Sequence, residues 1–162
     1  MRTLVMSLLV VCLASLASGQ EIAVTISADN VPALVLSVPK DARVSPSKEK
    51  TVIQTTNMFL HVWPVPGAKT VADAAARVGE VIKGDVLKFA ATKTNDLTLA
   101  GAPARHLIGN GAEADDGDPS TADVVIFTVG NHAFVACVHG EGNDASCERE
   151  PMLAVLRTAK SP

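Results

Sequence analysis

Five carboxylates crowd one short stretch of this chain: Glu113, Asp115, Asp116, Asp118 and Asp123, spaced around Gly117. Carboxylates at such intervals can wrap a hard cation, because calcium takes oxygen ligands in flexible geometry. Asp115, Asp116, Asp118 and Asp123 are therefore the candidate metal ligands, and calcium the candidate cofactor. The spacing of an EF-hand loop is absent, since no Glu stands at the twelfth position counted from Asp116. A solvated turn between strands needs the same polar and glycine-rich composition. That simpler reading is preferred, and it leaves the protein without a cofactor.

The remaining chemistry-bearing residues are scattered. The histidines are His61, His106, His132 and His139. No two stand four apart, as a helical metal pair would, and there is no H-E-x-x-H. His61 lies beside Trp63 and could face a groove, while His139 follows Cys137 closely. Three histidines meeting around zinc is a reading that the spacing does not support. There is no G-x-S-x-G element and no phosphate loop, so the chain carries no recognisable catalytic motif. That argues against an enzyme, with an unrecognised hydrolase as the alternative.

Export shapes the reading of the cysteines. Residues 1–19 run from Arg2 through the apolar Leu4–Leu16 stretch to Ala17-Ser18-Gly19, the charged, apolar and small-residue order of a secretory signal. Cleavage is expected after Gly19, which places the mature domain, 20–162, in the periplasm or outside the cell. The apolar run is too short to span a bilayer, and no second one follows. Two cysteines remain, Cys137 and Cys147. In an oxidising compartment such a pair bonds, and closing so short a loop would add about 2–3 kcal/mol. The expectation is a structural disulfide, with two free buried thiols as the alternative.

Composition excludes several partners. The chain has 14 basic and 17 acidic side chains, and the leader removes one of the basic ones. An acidic balance does not suit nucleic-acid phosphates. Four Phe, one Trp and no Tyr are too few for a stacked-aromatic binding face.

The elements that must position these residues are legible from periodicity. Ile22, Val24 and Ile26 alternate, as do Leu34, Leu36 and Val38, and both read as strands. Residues 40–50 are polar and contain Pro46, so they read as an exposed loop. Thr51–Trp63 is β-rich and is stopped by Pro64 and Pro66. One helix is expected next, capped by Thr70 and Asp73, with Val71, Ala74, Ala75, Val78 and Ile82 on its apolar face and Gly84 as its left-handed terminator. Val86–Thr92, Asp96–Leu99 and Ala104–Ile108 read as strands, and 109–120 as a loop. Gly130-Asn131 between two apolar runs is the strongest hairpin signal, and Val124–Phe127, apolar on both faces, reads as a central strand. His139–Ser146 reads as a loop, and Pro151 suits the first turn of a final helix bearing Met152, Val155, Leu156 and Ala159. The fold class is α+β, an antiparallel sheet of about six strands with two or more helices packed on it.

Several turns of this chain form a family pattern. The strand Leu34-Val35-Leu36-Ser37-Val38 ends in Pro39-Lys40-Asp41, a helix opens Thr70-Val71-Ala72-Asp73, and Gly101-Ala102-Pro103-Ala104-Arg105-His106-Leu107 precedes the hairpin of Val124–Val138. Over residues 32–160 the chain resembles the Mog1/PsbP-like α/β/α sandwich family, which includes many small exported bacterial proteins of unknown role. The resemblance implies a protein-binding or assembly module in the bacterial envelope, with another envelope protein as partner. It transfers no catalytic set. A small-ligand or divalent-metal-binding protein is the competing reading.

Overall fold

A computed structural model describes residues 20–162; the expected leader, 1–19, lies outside the described residues. The architecture of the described residues is α+β, with antiparallel strands and three helices among them. Its centre is the hairpin of β8 (Pro119–Val129) and β9 (His132–Glu141), which turns at Gly130 with a positive φ of 57°. Val124–Phe127 are all fully buried, as a strand covered on both faces requires.

The main sheet has seven strands rather than about six, in the order β3-β4-β5-β9-β8-β7-β6. One local feature adds a strand to those expected, and another joins two expected strands into one. The polar 40–50 segment contributes a short edge strand, β3 (Arg43–Pro46), paired to β4 (Thr51–Thr55) and thence to β5 (Met58–Pro64). The expected strands at 86–92 and 96–99 are one strand, β6 (Val86–Leu99), because Lys93–Leu99 continue the ladder with β7 (Ala102–Glu113) past two bulges. The strands β1 (Glu21–Ala28) and β2 (Val31–Pro39) form a separate two-stranded sheet, turned at Asp29-Asn30 with both residues at positive φ.

Side-chain alternation divides the molecule into layers. On β9, Phe134, Ala136 and Val138 join a core that includes the β1–β2 hairpin and helix α3 (Asp144–Leu156). Ala133, Val135 and Cys137 point the other way, into a core with helices α1 (Val71–Ala75) and α2 (Val78–Ile82). A strand sends successive side chains to opposite faces, so one residue of register decides which core a residue joins.

The helices differ from expectation in three ways. The Thr70–Asp73 capping box forms as expected, with reciprocal hydrogen bonds of 3.1 Å. The helix then breaks at Arg77, whose N–H bonds back three residues to Ala74 and whose guanidinium donates to the Pro66 carbonyl at 2.6 Å. Gly84 is not left-handed; Lys83 ends α2 in helical geometry and Asp85 N–H closes the turn on Ile82. Helix α3 starts seven residues before Pro151, which lies inside it. Ala145, Met152 and Leu156 are fully buried, and that packing on the sheet offsets the hydrogen bond that proline lacks.

The expected Cys137–Cys147 disulfide is not formed; both thiols are free. The alternation above gives the reason. Cys137 points into the core beneath α1 and α2, whereas Cys147 is exposed on α3, which packs on the opposite face. A disulfide would have to pass through the sheet, which its short Cβ separation forbids.

Candidate metal centre

On the α1–α2 face, β5 presents Phe59, His61 and Trp63 at alternate positions. The β5–β9 ladder sets His61 directly opposite Cys137, which brings His139, two residues along, beside His61. The two imidazoles meet edge to face with ring centroids 5.3 Å apart. Phe59 and Trp63 flank His61 at 5.1 and 5.6 Å.

Three further residues converge on this pair. Asp85 follows α2 and holds His61 Nδ1 at 3.0 Å. Glu113, at the end of β7, holds His139 Nδ1 at 3.0 Å. Lys50, at the end of the turn before β4, donates to both Asp85 carboxylate oxygens at 2.6 Å. The supports of these groups are themselves fixed. Val86 pairs with Glu113, and Ala114 N–H donates to the Asp85 carbonyl at 3.0 Å. The start of β6 lies over β7 at this end, where a Cβ on Gly111 would stand 2.7 Å from the Leu87 carbonyl oxygen. Absence of a side chain there allows the close crossing that delivers Asp85.

The electrostatics follow from these partners. Burial alone would raise the Asp85 carboxyl, but hydrogen bonds from His61 and Lys50 and their charges hold it at about 2. Glu113 on His139 Nδ1 places that ring's proton there and leaves Nε2 as a lone pair, whereas His61 Nδ1 faces both the Asp85 carboxylate and, at 3.3 Å, the Lys50 ammonium. Both Nε2 atoms are buried and have no hydrogen-bond partner. One potential donor atom from each of His61, Asp85 and His139 lies within 4.8 Å of the others. Cys137, across from His61, is not a thiolate: burial, then the nearby carboxylates, push its thiol well up.

The residues singled out from sequence are placed elsewhere or in part. Asp115, Asp116 and Asp118 are exposed in the turn after β7, where Asp116 accepts the Asp118 N–H at 2.9 Å. Asp123 lies on the other face of the sheet. Its buried carboxylate accepts from His106 at 2.6 Å and from Arg149 at 2.6 and 3.2 Å. The structure therefore does not bring these four carboxylates together. Burial would raise the Asp123 carboxyl, but bonds from His106 and Arg149 prevail and lower it. This second cluster ties α3 to the sheet. His132 lies 3.9 Å from Asp29, apart from both clusters. Sequence reasoning flagged His61 and His139 singly and missed Asp85 and Lys50, which carry no motif. A groove of about 390 Å³ between β2, the β4–β5 turn and α3 holds neither histidine of the pair. No helix of the described residues is long and apolar enough to cross a membrane.

Comparison with known proteins leaves the family open. No family model matches the chain, so the Mog1/PsbP-like resemblance is not confirmed, and no curated protein matches it. Among solved structures, the chain is similar to PA94 of Pseudomonas aeruginosa, a protein of unknown function described as a putative regulator, at 13% identity and a TM-score of 0.48. That likeness covers 84% of this chain and 94% of the other. It is also similar to LpqN of Mycobacterium tuberculosis, involved in cell envelope biogenesis, at 17% identity and a TM-score of 0.49, covering 88% and 90%.

Proposed function

We propose that this protein binds a divalent transition-metal ion, without turnover, between His61, His139 and Asp85. The observation that carries the reading is the convergence of one donor atom from each of His61, Asp85 and His139 within 4.8 Å, beside a buried His139 Nε2 that has no partner on a ring whose Nδ1 is held by Glu113. A buried polar atom left unpaired costs about 1–3 kcal/mol. Metal-ligating histidines characteristically give the other ring nitrogen to a carboxylate, which orients the ring and raises its basicity. Imidazole and carboxylate donors suit zinc and its neighbours in the first transition row, whereas calcium wants oxygen ligands alone. Glu113 would orient His139, and Asp85 would complete the donor set. The leader-like order of residues 1–19 supports export, so the ion would be met in the periplasm or outside the cell.

The test is zinc and cobalt titration of the purified 20–162 domain, with metal content after dialysis. Binding of one ion that His61→Ala or His139→Ala abolishes, and that Asp116→Asn with Asp118→Asn leaves intact, is the expected result. Binding indifferent to both histidines would sink the reading.

A further inference from the structure

The ammonium of Lys50 already bridges two of the three residues assigned to the ion. It donates to both oxygens of Asp85 at 2.6 Å, stands 3.3 Å from His61 Nδ1, and lies 5.4 Å from the centre of the Trp63 ring. Carboxylate, imidazole nitrogen and aromatic face are each a partner for a cation. With Glu113 close by, the cluster holds two carboxylates against one ammonium. A divalent ion drawn to Asp85 would meet that ammonium as a like charge.

The lysine is also built to leave. Its side chain is more exposed than that of Asp85, 27% against 12%. It projects from the Ser47–Lys50 turn, closed by the Ser47 N–H and hydroxyl on the Lys50 carbonyl, both at 2.8 Å. Residues 47–49 of this turn are exposed. The stem can therefore swing toward solvent while the β3–β4 pairing stays intact.

We propose that Lys50 is the resident counter-cation of this site, which an incoming divalent ion displaces from Asp85. The inference rests on the metal-binding reading above. A site that neutralises its own carboxylate stays folded when unloaded, so the ion is exchangeable cargo or signal rather than a structural staple.

The experiment is a competition titration of zinc against a chromogenic chelator, with circular dichroism of each unloaded variant. Lys50→Met is expected to bind zinc about tenfold more tightly or better, through relief of like-charge repulsion at short range. Lys50→Gln serves in its place should the methionine variant fold poorly. Lys48→Met, which removes the same charge from an exposed position of the turn, is expected to change affinity less than about twofold because solvent and salt screen it. In an Asp85→Asn background the gain from Lys50→Met should vanish. Zinc affinity unchanged or weakened by Lys50→Met, with His61→Ala still abolishing binding, would overturn the counter-cation role and leave the metal site standing. An equal gain from Lys48→Met, or a gain that persists without Asp85, would overturn it too. No zinc binding by either the natural protein or Lys50→Met would defeat the metal reading itself.

Discussion

Replacing Arg149 by Met tests how α3 is held to the sheet. Arg149 reaches Asp123 through two hydrogen bonds of 2.6 and 3.2 Å, and Asp123 is almost wholly buried beside His106. Removing one partner of a buried ion pair costs about 3–5 kcal/mol, because the other charge stays buried and unpaired. Two features of this site lower that figure. Arg149 is nearly a third exposed, so solvent screens its charge, and His106 still bonds Asp123 at 2.6 Å. The expected loss is therefore about 2 kcal/mol, read as a lower midpoint in urea and a melting temperature lower by about 6 °C. Because the folded-state carboxyl of Asp123 is held below its ordinary value, its contribution is present above about pH 4 and lost as pH falls through the folded value. The variant should lose part of that acid sensitivity. Adding Asp123→Asn to Arg149→Met should recover part of the stability, since no charge is then stranded. A change under about 0.5 kcal/mol, typical of plain surface substitutions, with an unchanged acid profile would refute the reasoning.

Two other outcomes follow from the packing. Gly111→Ala should destabilise by about 1–3 kcal/mol and weaken zinc binding, because its Cβ would meet the Leu87 carbonyl oxygen at 2.7 Å and force β6 away from β7; urea unfolding with a zinc titration checks both, and natural stability would count against the crossing. The thiols should react unequally in the native protein, Cys147 with a maleimide at once and Cys137 only after unfolding; an intact mass lacking two hydrogens would show instead that they are bonded.

Local patterns were legible in the sequence, and pairings between distant segments were not. The Gly130-Asn131 hairpin and the Thr70–Asp73 box are each settled by a few adjacent residues. The continuity of β6 was hidden because its middle residues, such as Thr92, Lys93 and Thr94, are exposed and carry little apolar alternation. The break at Arg77 depends on the Pro66 carbonyl, a contact that helical periodicity does not encode. At the metal centre the histidines were visible as types, yet their meeting depends on the register His61 opposite Cys137. Asp85 arrives by the crossing of β6 over Gly111, and no spacing between Asp85 and His61 announces it. Asp123 was grouped with its sequence neighbours, but one step along β8 turned it to the other face.

The β1–β2 hairpin is fastened to residues far along the chain. Val35 exchanges both backbone bonds with Lys160, and Ser37 N–H donates to the Thr158 hydroxyl at 2.8 Å. Leu34, Leu36 and Val38 share their core with Met152 and Leu156. A chain synthesised or threaded amino end first therefore presents this hairpin long before the surface that covers it exists. A lone two-stranded hairpin is marginal in water, and loop closure over such a separation is slow. The earliest strands must wait, apolar face uncovered, until residues 152–160 emerge, which makes that interval the one in which a holding chaperone would have most to protect.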